Sequence, residues 1–265
     1  MTTLPPEGAD TTRPSPARLY DYYLGGKDNY PADRHVGDSL LEQIPELGSM
    51  ARANRAWLRR VVGFMARQGI DQFLDLGSGL PAQDPTHQVA QSVHPDARVI
   101  YVDHDPLAIA HANAMLATDP ERTTVVGVDM RDPHAVLDHP HTRRLIDFDR
   151  PVGLLFVAVL HFLPDSVHPH QIVRTYRDAL EPGSCMAISH VDNETAPERA
   201  ALLEQVYAST SAPGQARGRA EIEAFFDGTE LVSPGLTYVS DWRRELHDTS
   251  WSPAQAWVLG GVGRL

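Results

Sequence analysis

The chain has 265 residues, 42% of them hydrophobic, one cysteine and a formal net charge of −12. Length and apolar content allow a large buried core, and the acidic balance disfavours a nucleic-acid partner, whose phosphates it would repel. The longest apolar run, Val152–Leu160, is too short to cross a bilayer, no charged-then-apolar leader opens the chain, and Cys185 has no partner for an internal disulfide. A cytoplasmic protein without a membrane partner is expected.

Residues 1–14, rich in Pro, Thr and acid, read as a disordered tail. Order is expected from Ser15-Pro16, an N-cap and N1 pair leading a short helix through Leu24 that stops at Gly25-Gly26. A second helix is expected from Pro31 to Ile44. A third runs from Gly48 to Gln68, where Ala53, Trp57, Val61, Phe64 and Met65 recur at helical spacing as a core-facing stripe. Residues 15–69 thus form a helical cap ahead of a sheet domain over 70–265. Within the cap, Tyr20-Asp-Tyr-Tyr-Leu-Gly-Gly-Lys-Asp-Asn-Tyr30 packs four tyrosines, a lysine and three Asp or Asn residues around a double glycine. That density tilts towards ligand contact, with Lys27 placed either to meet a ligand carboxylate or to offset a helix dipole.

Phe73-Leu-Asp-Leu-Gly-Ser-Gly-Leu80 reads as a strand entering a glycine turn, with the Asp75 carboxylate two residues before the first glycine. Such a turn brings backbone close to a nucleotide-like ligand. A carboxylate there repels a pyrophosphate and attracts the ammonium and sulfonium of S-adenosylmethionine. Gly77-Ser-Gly79-Leu-Pro-Ala82 also fits the dinucleotide fingerprint, so NAD stays open at this point. Two further strands follow. Arg98–Val102 ends at Asp103, placed to accept ribose hydroxyls, and Thr123–Val128 ends at Asp129-Met130, a polar-then-apolar pair suited to adenine. Asp84-Pro85, Asp105-Pro106 and Asp132-Pro133 each read as N-cap plus N1, giving repeated β-α units and a parallel sheet.

Later strands are expected at Val152–Val159, Cys185–Val191, Leu231–Val239 and Ala254–Val262, seven in all. The short polar stretch around Asp241–Ser252 leaves no room for a crossover helix, so the last two pair antiparallel. A helical insertion spans about 192–228, with helices around Glu198–Ala208 and Arg219–Phe226 and a mobile Gly214–Gly218 lid between them. His161 and His190, each at the end of a strand, are the candidate general bases. His139-Pro-His141 and His168-Pro-His170 lack cysteine partners and read as solvated loop histidines, so no metal is expected.

Ala17-Arg-Leu-Tyr-Asp-Tyr-Tyr-Leu-Gly-Gly-Lys-Asp-Asn-Tyr-Pro-Ala-Asp-Arg34 closely resembles the opening signature of the S-adenosyl methyltransferase family once catalogued as DUF574. Asp75-Leu-Gly-Ser-Gly-Leu-Pro81, Tyr101-Val-Asp-His-Asp-Pro106, Asp129-Met-Arg-Asp-Pro133, Val157-Ala-Val-Leu-His-Phe-Leu-Pro164 and Gly260-Gly-Val-Gly-Arg264 resemble its later blocks in the same order. The resemblance covers nearly the whole chain. It implies an α/β class I methyltransferase fold, a Rossmann-like seven-stranded sheet of order 3-2-1-4-5-7-6 with strand 7 antiparallel. It implies S-adenosyl-L-methionine as cofactor and S-adenosyl-L-homocysteine as product, and leaves the acceptor unnamed. Carried onto this sequence, Asp75 sits near the methionine amino group, with backbone contact from Gly77, Ser78 and Gly79. Asp103 holds the ribose, His104 flanks the adenine, Asp129 and Met130 frame it, and Ala158 approaches the methionine portion. Lys27, Asn29 and Tyr30 close over the cofactor; Asn54 and Arg55 are helix surface that could also enter the cleft. The expected function is methyl transfer to a small-molecule acceptor. The alternatives are a non-catalytic protein that binds the cofactor or its product, and an NAD-dependent oxidoreductase.

Overall fold

The computed structural model describes residues 6, 8–81, 84–116, 119–245, 249 and 251–265. Most of the start of the expected tail, Ala82 of the glycine fingerprint and part of the Asp241–Ser252 stretch lie outside the described residues.

Three helices come first, α1 (Pro16–Tyr23), α2 (Pro31–Gln43) and α3 (Leu47–Arg67). Pro16 and Pro31 sit in first turns, where a missing N–H leaves no bond unmade. Gly25, at φ +78°, lets the chain leave α1 in a left-handed turn. The apolar stripe of α3 lies on the sheet, and a Cβ on Gly260 would come within 2.8 Å of the Trp57 ring.

The remainder runs β1 (Gln72–Leu76), α4 (Thr86–Gln91), β2 (Arg98–Asp103), α5 (Pro106–Leu116), β3 (Thr123–Gly127), α6 (Pro133–Leu137), α7 (Pro140–Leu145) and β4 (Gly153–Val157). It continues through α8 (Pro169–Arg177), β5 (Cys185–Val191), α9 (Pro197–Tyr207), α10 (Arg219–Glu223), β6 (Glu230–Leu231), β7 (Thr237–Tyr238), α11 (Pro253–Ala256) and β8 (Val258–Arg264). The sheet order is β3-β2-β1-β4-β5-β8-β6, with β7 also pairing β8. The first five strands are parallel and β8 runs antiparallel to β5, the expected topology. One core, holding Trp57, Val61 and Met65, fills the face under α1–α3; the other, with Val136, Ile172 and Tyr176, fills the face under α6–α8.

Three local expectations are corrected. The sixth strand is two short pieces. Leu231 opposes Gly263 and Thr237 opposes Gly260, so the five residues between them bulge over two residues of β8. Pro234 lies in that bulge, and proline, having no N–H for a ladder, belongs at such an edge interruption. The last strand starts at Val258, because Ser252-Pro253 opens a helical turn in which Ser252 N–H donates to Gln255 Oε1 at 2.9 Å. Asp84 is not an N-cap: Pro85 takes that position, while Asp132 accepts from Ala135 N–H as expected. Among the described residues no helix is long and apolar enough to cross a membrane, and no His, Cys, Asp and Glu cluster could hold a metal ion.

Candidate active site

Asp75 is the next-to-last residue of β1, Asp103 ends β2, and Asp129 and Ala158 follow β3 and β4, at the sheet edge where open α/β folds bind ligands. A cavity of about 310 Å³ lies there. Of the residues singled out from sequence, Asp75, Gly77, Ser78, Gly79, Asp103, His104, Asp129, Met130, Ala158 and His161 all line it. Helix α1 runs along it. Ser15 Oγ donates to Asp105 Oδ2 at 2.9 Å at one end, and the Tyr23 hydroxyl lies 3.4 Å from that of Tyr207 at the other.

The glycine turn is shaped for close approach. Gly77 has φ +66°, and a Cβ there would fall 2.2 Å from Val159 Cγ2, so no side chain is tolerated and bare backbone faces the cavity. The Asp103 carboxylate accepts three backbone N–H groups, from Gly79 at 2.7 Å, His104 at 2.8 Å and Asp105 at 2.9 Å. Burial nonetheless raises its pKa. Asp75 is 5% exposed and accepts from the Thr86 hydroxyl at 2.7 Å. Burial, opposed by that bond and by the Arg55 charge, pushes it up to about 6. Burial also raises Asp129, but the hydrogen bonds and charge of Arg131 outweigh it and hold the carboxyl below its ordinary value. Turn, paired acids and bare backbone fit an adenosyl ligand with a cationic arm.

His161 is half-buried in the cavity lining, and desolvation with the Arg217 charge lowers it to about 3, so it stays neutral. Its Nδ1 has no hydrogen-bond partner. His190 does not line the cavity. Arg217 Nη1 lies 3.0 Å from its Nε2, and because a guanidinium only donates, the ring proton sits on Nδ1 and goes to Val191 O at 2.8 Å. Both ring nitrogens of His190 are therefore engaged, and burial lowers its pKa further. The Gly214–Gly218 stretch is pinned and is no free lid. Arg217, 1% exposed, donates to Leu160 O, Leu163 O and Asp165 Oδ1, and Gln215 N–H donates to His161 O at 2.6 Å.

The signature block contributes through residues other than those expected. Lys27 is exposed. Asn29 donates to Asp21 Oδ2 at 2.8 Å and to Gly26 O at 3.1 Å, and Tyr30 packs on Leu80 and Leu107 beneath the Arg18 guanidinium. None of the three lines the cavity; Ala17, Tyr20, Asp21 and Leu24 do. Those four fall at i, i+3, i+4 and i+7, one helix face, and that period was the signal available in the sequence. Asn54 and Arg55 also line the cavity, and so do Phe162 and Tyr207, which sequence reasoning missed.

A family model described as S-adenosyl methyltransferase matches residues 2–265. A solved DUF574 family protein from Streptomyces avermitilis MA-4680 is 40% identical, with 96% of this chain and 98% of that chain covered and a TM-score of 0.92. A candidate methyltransferase from Thermobifida fusca YX is 44% identical, with 99% of both chains covered and a TM-score of 0.92. An O-methyltransferase family protein from Burkholderia thailandensis is similar in fold, at 13% identity and a TM-score of 0.52, covering 82% of this chain and 59% of that one. No curated protein sequence matches the chain.

Proposed function

The chain belongs to the S-adenosyl methyltransferase family and is an S-adenosylmethionine-dependent methyltransferase; on that premise we propose that its acceptor is an uncharged, largely apolar small molecule. The oxidoreductase alternative falls with family membership. In this reading Asp103 accepts the ribose hydroxyls, Asp129, Met130 and His104 surround the adenine, and Asp75 faces the methionyl ammonium. The cofactor supplies a methyl group on a cationic sulfur with a good leaving group. The protein's part is then positioning and exclusion of water.

The acceptor reading is carried by the lining at the far end of α1. Tyr23, Leu24, Met50, Phe162, Leu203 and Tyr207 line that end, with Phe162 and Tyr207 rings 5.5 Å apart and tilted by 30°. Burial pushes Tyr207 up to about 12 and Tyr23 well above its ordinary value, so both hydroxyls stay neutral. The cations of the lining, Arg55 and Arg131, belong elsewhere: Arg131 pairs with Asp129, and Arg55 donates to Asp84 O. Glu204 lends Oε1 to Ala216 N–H at 2.6 Å. An anionic acceptor would be desolvated there without a partner, at several kcal/mol per ion, and a cationic one would have to draw on the Glu204 carboxylate already engaged by Ala216 N–H. Neutral His161 orients an acceptor hydroxyl and does not hold its proton, since an imidazolium would face Arg217.

The test is turnover of a flat neutral phenol against analogues carrying a carboxylate or an ammonium, read as formation of S-adenosylhomocysteine. The neutral compound is expected to have at least about a tenfold higher kcat/KM, the equivalent of 1.4 kcal/mol. Preference for either ion removes the acceptor reading and leaves the methyltransferase assignment standing.

A pH dependence follows from Asp75. Its carboxyl is protonated below about 6 in the free protein, whereas the cofactor's ammonium favours the ionised form. Binding therefore releases a proton below that pH. Affinity for S-adenosylhomocysteine is expected to rise about fivefold from pH 5 to 6, by less than about twofold from pH 6 to 7, and to level off above. Calorimetry at pH 5, 6 and 7 reads this directly, and Asp75→Asn should flatten the profile. An equally steep profile in the variant would assign the titration to another group.

A further inference from the structure

We infer that Asn54 and Arg55, on α3, are the residues that read the zwitterionic methionyl arm of the cofactor, Asn54 Oδ1 taking the ammonium beside Asp75 and Arg55 the carboxylate. The inference rests on the cavity being the S-adenosylmethionine site. Asn54 is 2% exposed and lines the cavity. Its Nδ2 donates to the Tyr20 oxygen at 3.0 Å, and the single Tyr20 hydroxyl proton goes to Ala51 O at 3.1 Å. A flipped amide would turn two hydrogen bonds into one, so the amide orientation is set. That leaves Asn54 Oδ1 as a buried acceptor without a partner. Buried acceptors are rarely left so, and one lining a cavity calls for a donor from the ligand.

The neighbours say which donor. The charge of Arg55 acts on both Asp75 and Tyr20, so cation, carboxylate and the Asn54–Tyr20 pair surround one part of the cavity. It lies between the Ser15–Asp105 end of α1 and the Tyr23–Tyr207 end, where an arm joining ribose to reacting sulfur must pass. One anion, one neutral acceptor and one cation match an amino acid's two charged groups. An acceptor hydroxyl would need no such set. Adenine is accounted for at Asp129 and Met130.

The experiment compares S-adenosylhomocysteine with 5′-methylthioadenosine, which keeps the nucleoside and thioether and lacks the amino-acid arm. Calorimetric affinities are measured for wild type, Asn54→Leu and Arg55→Met, with circular dichroism verifying the fold. Each variant is expected to bind S-adenosylhomocysteine about tenfold or more weakly, as for a lost hydrogen bond to a charged group, and 5′-methylthioadenosine within about twofold of wild type. If Asn54→Leu fails to fold, Asn54→Ser and Arg55→Met carry the same comparison. Equal losses for both ligands, or unchanged S-adenosylhomocysteine binding with a raised acceptor KM, overturn the inference. Wild type that binds neither ligand overturns the cofactor site itself.

Discussion

Asp33→Ala is expected to lower the melting temperature by about 10 °C and to weaken cofactor binding, although Asp33 lies outside the cavity lining. Its carboxylate accepts Arg18 Nε at 2.8 Å, Tyr30 N–H at 2.8 Å and Ser15 N–H at 3.0 Å, with the ionic pair 3% and 0% exposed on its two sides. Removing the anion strands a buried guanidinium and two backbone donors. Breaking a buried pair from one side costs about 3–5 kcal/mol, far more than the pair itself contributes. The released segment is the start of α1, which carries Ser15 to Asp105 and Ala17 to the glycine turn. Binding should fall because the roof over the nucleoside loosens. Arg18→Met with Asp33→Leu removes both charges together and should recover much of the lost stability. Thermal unfolding of wild type, the single variant and the double variant decides the matter. A single-variant shift below about 2 °C would mean that the pair does not hold α1 down.

That network also marks where reading the sequence stopped. Strand ends and their acids were legible because each signal is local: an apolar run, a carboxylate, then glycine or Asp-Pro. The antiparallel last pair was legible from the shortness of its connection. The role of Arg18 and Asp33 was not, since 15 residues separate them and neither the spacing nor the residue types single out an ion pair. Within Tyr20–Tyr30 the conspicuous polar residues, Lys27, Asn29 and Tyr30, belong to the turn, while the helical period assigns cavity contact to Ala17, Tyr20, Asp21 and Leu24. Composition drew attention to the block and periodicity was the better guide within it. Arg217 shows the same limit: a glycine-flanked loop suggests motion, yet one buried guanidinium with a carboxylate and two carbonyls fixes it. The broken sixth strand was foreshadowed by Pro234, which an edge accepts and a continuous ladder does not.

Asp103→Ala is expected to weaken S-adenosylmethionine and S-adenosylhomocysteine by roughly 10²-fold or more, with a much smaller change in folding stability. Two ribose hydroxyls donating to an ionised carboxylate are each worth about 1.5–3 kcal/mol, and alanine replaces neither. The stability effect is smaller because two contributions oppose. Three backbone donors lose their acceptor, whereas a buried carboxylate whose pKa burial raises is no longer held ionised. Asp129→Ala is the internal comparison. Its carboxylate is already bound to Arg131 at 2.8 Å, so a ligand gains less from it, and a loss within about tenfold is expected. Asp103→Asn separates charge from shape: the amide keeps one acceptor but turns donors towards the N–H groups of Gly79 or of His104 and Asp105, so it should bind little better than alanine. Calorimetric titration of the three variants, each verified as folded, gives the ranking. If Asp103→Ala binds S-adenosylhomocysteine within about threefold of wild type, the nucleoside does not lie at the end of β2, and the cavity must be read in the opposite direction.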